Sequence, residues 1–150
     1  MLAIGGGVVA NQNRNVRMIC QLGNSLVKYR NQKAESFGLT SAQIDVLVFL
    51  LKKQGCEEIN QLDVQNHLML TNPTVTGIVR RLEEKGFISR GKSIRDARYN
   101  CVYLTDKVIG LEDVLQSNAA VAEKQLLQGM SGPEREEFSR LLKLALSNIE

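Results

Sequence analysis

Seven cationic side chains fall between Asn72 and Arg98, namely Arg80, Arg81, Lys85, Arg90, Lys92, Arg95 and Arg98, against the three acids Glu83, Glu84 and Asp96. That stretch carries +4, while the whole 150-residue chain carries +3, so the remainder is left at −1. Guanidinium and ammonium groups concentrated in this way, beside the small hydrogen-bonding side chains of Asn72, Thr74 and Thr76, suit the neutralisation of a polyanion rather than bond-making chemistry. Catalytic signatures do not accompany them. There is no Gly-rich phosphate loop of the GxxxxGK[ST] kind, no nucleophile elbow and no HExxH, and isolated Ser or Cys residues do not make a triad. His67 is the only histidine, and Cys20, Cys56 and Cys101 are widely spaced with no CxxC pair. Neither a zinc site nor a disulfide framework is expected, nor any cofactor; the thiols are expected to be reduced, buried and inert.

The basic groups need two elements to present them. Asn72 is a candidate cap for a helix with Pro73 at its first position, and Gly86 can supply the left-handed residue that ends it. Val75, Ile78, Val79 and Leu82 recur at helical spacing and commit one face to a core. Thr74, Thr76, Gly77, Arg80 and Arg81 are left around the rest. After Gly86 the period becomes alternating: Val102 and Leu104 share one strand face, Cys101 and Tyr103 the other, and Phe87-Ile88 offers a partner strand. The intervening Gly91–Arg98 is too long and too charged for a two-residue turn, and Arg95 and Arg98 at a protruding tip fit a phosphate backbone or a minor groove. The hairpin therefore reads as a wing.

The flanking sequence predicts helices. Asn15–Ser36 has helical apolar spacing, and Leu39–Ile44 combines a T-x-x-Q capping box (Thr40, Gln43) with a hydrophobic staple, opening a nearly all-apolar core helix that runs to Lys53. Gly55 ends it, Ile59 can add a brief strand, and Asn60–Met69 makes a short helix ahead of the one at Pro73, giving a helix-turn-helix with a wing. Thr105-Asp106 opens a predicted helix to Gln128, and Ser131–Glu134 is a capping box for a last one. The fold expected is mainly α with a small β-hairpin wing: a winged helix-turn-helix over about 39–105, with helices at about 15–36 and 106–150 whose surplus apolar surface suits a homodimer interface. Residues 1–13, with Gly5-Gly6-Gly7, are expected to form a loose arm. Hydrophobic content of 43% fits one domain with an adequate core, and no run approaches a membrane span or a signal peptide. A cytoplasmic protein without membrane contact is expected.

Taken together, LTSAQIDVL, TNPTVTGIVRRLEEKGFISR and IRDARYNCVYLTDK resemble the MarR family of bacterial transcriptional regulators. The resemblance implies a homodimer bound to double-stranded DNA at a pseudo-palindromic operator, with recognition helix Pro73–Lys85 and wing Phe87–Leu104. It places Asn72, Thr74, Thr76 and Gly77 near the major groove, Arg80 one turn further on, and Arg81 near the DNA backbone. Asp96 and Arg98 match the D-x-R of the family's wing, the Asp shaping the loop and the Arg approaching the minor groove. Gly77 departs from the pattern, since many members carry a longer side chain there. The reading reached is a repressor released by a small-molecule effector held between the dimerisation helices and the DNA-reading lobe. Two alternatives stand beside it: a winged-helix module that binds protein instead, which would not need the +4 surface, and a regulator that senses oxidants through a cysteine.

Overall fold

Local capping sets most of the helix boundaries. The computed structural model describes residues 13–150, and these form α1 (Arg14–Ala34), α2 (Ser41–Lys53), β1 (Ile59–Asn60), α3 (Gln61–Leu68), α4 (Asn72–Glu84), β2 (Ile88–Lys92), β3 (Asn100–Leu104), α5 (Glu112–Leu126) and α6 (Gly132–Ser147). Thr40 and Gln43 close their capping box at the start of α2, as do Ser131 and Glu134 at the start of α6. A third box, Asn60 with Asp63, starts α3 and was not anticipated. At the far end of α4, Gly86 adopts φ +79°, its N–H bonds Glu83 O at 2.9 Å and that of Phe87 bonds Leu82 O at 3.0 Å. This double closure is a Schellman motif, and the buried Leu82 and Phe87 supply its apolar contact.

The core gathers on α2. Ile44, Val46 and Leu47 are fully enclosed by Val64 of α3, Val75, Val79 and Leu82 of α4, and Leu115 of α5, together with residues of the sheet. Each such side chain contributes about 1.5–3 kcal/mol by leaving water. The three strands form an antiparallel sheet in the order β1-β3-β2, with Ile59 opposite Val102 and Ile88 opposite Leu104. The result is the expected mainly α fold with a small β wing. His67 stacks on Phe49 with ring centroids 4.1 Å apart. Among the described residues no helix is by itself long and apolar enough to cross a membrane.

Several expectations need correction. The cap of α4 is Thr71, whose backbone is extended (φ −74°, ψ 153°), and Asn72 is already helical with its side chain turned elsewhere. The helix expected from Thr105 is interrupted: Asp106–Val108 form one 3₁₀ turn, Gly110 takes φ +85°, and α5 starts only at Glu112. The left-handed glycine reverses the chain where apolar spacing alone read straight through. Strand β3 does not alternate cleanly, because its central place buries both Cys101 and Val102. Pairing extends β2 to Lys92, so the wing loop is Ser93–Tyr99, shorter than Gly91–Arg98 and still charged. Of the thiols expected to be buried, only Cys101 is; Cys20 and Cys56 are exposed. Apart from Asn13, the arm expected over 1–13 lies outside the described residues.

Two helices remain largely unpacked. In α1 only Ala34 is buried, and Val16, Met18, Ile19 and Val27 are exposed; α6 buries no residue, and Leu141, Leu144 and Leu146 stand in solvent.

Candidate nucleic-acid interface

Helix α4 lays Val75, Val79 and Leu82 into the core, which turns Asn72, Thr74, Thr76, Arg80 and Arg81 outward on its free surface. The first turns are held from α3. Gln61 Nε2 donates to Thr76 Oγ1 at 2.7 Å and to Asn72 Oδ1 at 3.3 Å, and the hydroxyls of Thr71 and Thr74 meet at 2.9 Å. This explains the displaced cap: the Asn72 amide oxygen accepts from Gln61 instead of from its own helix. An added Cβ at Gly77 would meet no heavy atom within 4 Å. The residue leaves open space on a helix flank.

The wing loop is built by side-chain acceptors. Asp96 Oδ1 accepts from Arg98 N at 3.1 Å, and the Tyr99 N–H bonds Asp96 O at 3.0 Å, a compact Asx-type turn. The Arg98 guanidinium also clasps the Asp96 carboxylate, with Nη2 to Oδ2 at 2.7 Å, and holds that carboxyl below its ordinary range. At the root of the loop, Ser93 Oγ accepts from the N–H groups of both Arg95 and Asp96 at 3.1 Å and donates to Glu58. Glu58 further accepts from Ile94 N and from the Tyr103 hydroxyl, each at 2.8 Å. Donation from Ser93, Ile94 and Tyr103 pulls the Glu58 carboxyl down to about 2, and the same contact pushes the Tyr103 phenol up to about 12. Beside it, a Cβ at Gly91 would lie in ordinary van der Waals contact with the Tyr103 ring, at 3.5 Å.

Tertiary contacts redistribute the charge counted in the sequence. Arg90 donates twice to Glu83 Oε2, at 2.9 and 2.6 Å, joining β2 to the last turn of α4. Lys85 turns away from the α4 surface to bond Gly38 O and Gln43 Oε1. Arg80 stands 3.8 Å from Glu84, and neither Arg81, Lys92 nor Arg95 makes an ion pair among the described residues. All seven cations of this segment are exposed; among the described residues Arg81 on the helix and Lys92 and Arg95 on the wing make no ion pair, and Arg80 and Arg98 pair only with Glu84 and Asp96 close by in the chain. A cleft of about 450 Å³ bordered by Gln61, Arg90, Lys92 and Asn100 lies between α3 and the hairpin. Sequence reasoning missed Glu58 and Gln61; neither belongs to a motif, and their partners are remote in the chain.

The profile of the MarR family matches residues 39–99, from the staple of α2 to the end of the wing loop. Over 131 residues the chain is 30% identical to the uncharacterized HTH-type transcriptional regulator YwoH of Bacillus subtilis (strain 168), an alignment spanning 87% of this chain and 93% of that relative. The chain belongs to the MarR family. As a MarR-family protein it shares the fold of S. aureus MepR in its DNA complex, with a TM-score of 0.82, 26% identity, and coverage of 93% of this chain and 99% of that one. It is also 24% identical to the HTH-type transcriptional repressor Mb2911 of Mycobacterium bovis (strain ATCC BAA-935 / AF2122/97), across 71% of this chain and 74% of the other. In MarR terms α3 and α4 are the helix-turn-helix, and β2, β3 and their loop are the wing.

Proposed function

We propose that this MarR-family regulator binds double-stranded DNA as a homodimer at a pseudo-palindromic operator, represses transcription there, and is released by a small-molecule effector. The observation that carries the DNA reading is the clustering of exposed cations on two neighbouring elements, α4 and the wing, where Arg81, Lys92 and Arg95 make no ion pair among the described residues. Asn72, Thr74, Thr76 and Gly77 would face the major groove, Arg80 and Arg81 its edge and backbone, and Arg95 together with Arg98, the latter positioned by Asp96, the adjoining minor groove. Dimerisation would use the exposed apolar surfaces of α1 and α6. A groove of about 690 Å³ between α1 and the start of α2, edged by Val27, Lys28, Leu39 and Lys85, is suited to an effector, because Lys85 is also the C-cap of α4. The protein would act in the cytoplasm beside the chromosome, with no catalytic step.

Selection of fragments from genomic DNA by the purified protein tests this. Retained fragments should share a two-fold related motif with half-sites about 10 bp apart. Their affinity should fall about 10³-fold or more between 50 and 200 mM salt, as counterion release requires of a dimer with many phosphate contacts. Retention without a common motif, or without salt dependence, would favour a protein-binding module.

Gly77 allows a sharper check. Alanine there enters open space in a helix interior, so Gly77→Ala should raise stability by about 0.5–1 kcal/mol in denaturant unfolding. The same methyl group would stand between the helix backbone and the groove, so operator affinity should fall as stability rises. Unchanged affinity would show that the α4 backbone does not come close to the bases at Gly77.

A further inference from the structure

We propose that Glu58 is a positioning residue for DNA binding: an acidic side chain that raises affinity for a polyanion by holding the wing in its DNA-reading orientation. The inference rests on the DNA reading above and deepens it. Glu58 precedes β1, the two-residue strand whose pairing of Ile59 with Val102 and Asn60 with Cys101 brings the end of the α2 loop beside the hairpin. From there one carboxylate reaches three groups of the wing. Oε2 accepts from Ser93 Oγ, and Oε1 accepts from Ile94 N and Tyr103 OH.

Ser93 passes the constraint on, because the same oxygen accepts from Arg95 N and Asp96 N, and Asp96 in turn accepts from Arg98. A continuous chain of hydrogen bonds therefore runs from Glu58 to both wing arginines. On the other side of β1, Gln61 holds Thr76 and Asn72 of α4. Residues 58 and 61, separated only by the short strand, thus set the wing and the recognition helix against each other. Without the Glu58 strap, a loop containing Arg95 and Arg98 would have to be ordered at each binding event, which costs affinity even though a negative charge has gone. Because its hydrogen bonds hold the Glu58 carboxyl well below the ordinary range, and so ionised, and keep the Tyr103 phenol protonated, the strap is also indifferent to pH over the range where proteins work.

The test uses the full chain and the duplex that the wild type selects from a random-sequence pool. Glu58→Gln keeps the size of the side chain, removes the charge and leaves one acceptor in place of two. Removing an acid beside DNA should by electrostatics alone tighten binding. The proposal requires the opposite: affinity lower by at least about tenfold, the cost of ordering roughly one residue's backbone. It also requires faster hydrogen exchange at Ile94, Arg95 and Asp96 in the free protein, with exchange in α2 and α4 unchanged. Tyr103→Phe, which leaves charge untouched, should shift both readouts the same way by less, and it decides the matter should Glu58→Gln fail to fold. Equal or tighter binding by the variants, with wing amides still protected, would overturn the inference while leaving the DNA reading intact. A wild type that selects no duplex would remove both.

Discussion

Arg98→Ala is expected to weaken operator binding strongly while leaving the fold almost untouched. The Arg98 side chain is 84% exposed, and its only partner among the described residues is Asp96, two residues away in the same loop. An exposed ion pair of this kind contributes little to stability, so the melting temperature should move by less than about 2 °C. Binding should respond in two ways. Affinity should drop, and because a dimer presents two wings, the slope of log affinity against log salt should flatten by up to about two units. Asp96→Ala separates charge from loop order: it removes an acid and releases Arg98, yet it also dismantles the turn in which Asp96 accepts from Arg98 N. Its affinity should fall without the loss of slope that deleting a cation brings. Wild-type affinity and slope in Arg98→Ala, or unfolding of that variant, would return Arg98 to an ordinary turn residue.

The second large effect is expected at the other end of the chain. Helix α6 buries none of its residues in the protomer, yet Leu141, Leu144 and Leu146 recur along it at 48%, 50% and 58% exposure, and α1 exposes Val16, Ile19 and Val27. Apolar helix faces left in water in this way are the material of an obligate interface. Ending the chain after Gln128 should convert the dimer to monomers or aggregates in sedimentation, and the double substitution Leu141→Glu, Leu144→Glu in the full chain should do the same without shortening it. Loss of the second half-site contact should lower operator affinity by about 10²–10⁴-fold, since the two DNA-reading lobes then no longer act as one ligand. A truncated or charge-substituted chain that still sediments as a stable dimer would refute the assignment of α6 to the interface.

The starts of α2 and α6 and the end of α4 were legible in the sequence, because capping is a contact between residues three or four apart. Thr40 with Gln43, Ser131 with Glu134 and Gly86 after the Val75–Leu82 stripe carry their partners with them. The amphipathic stripe also determined which side of α4 faces out, and so which of Thr74, Thr76, Arg80 and Arg81 is offered to a ligand. Where local signals competed, the reading slipped: Gly110 lay within an apolar repeat that outweighed it, and Thr71 took the N-cap position without a side-chain cap bond while Gln61, on another helix, engages the Asn72 side chain. Only the tertiary structure decided which charges stay available. Lys85 and Arg90 look like their basic neighbours in the sequence, and it is the approach of Gly38 and Gln43 to one and Glu83 to the other that engages their side chains while leaving both exposed. Glu58 was illegible for the same reason. Its partners lie 35, 36 and 45 residues away, beyond the reach of any spacing rule, and they meet it only because β1 pairs with β3 in one register. A strand of two residues has too little pattern to announce that register, which is set by the burial of Ile59 and Val102 in a common core.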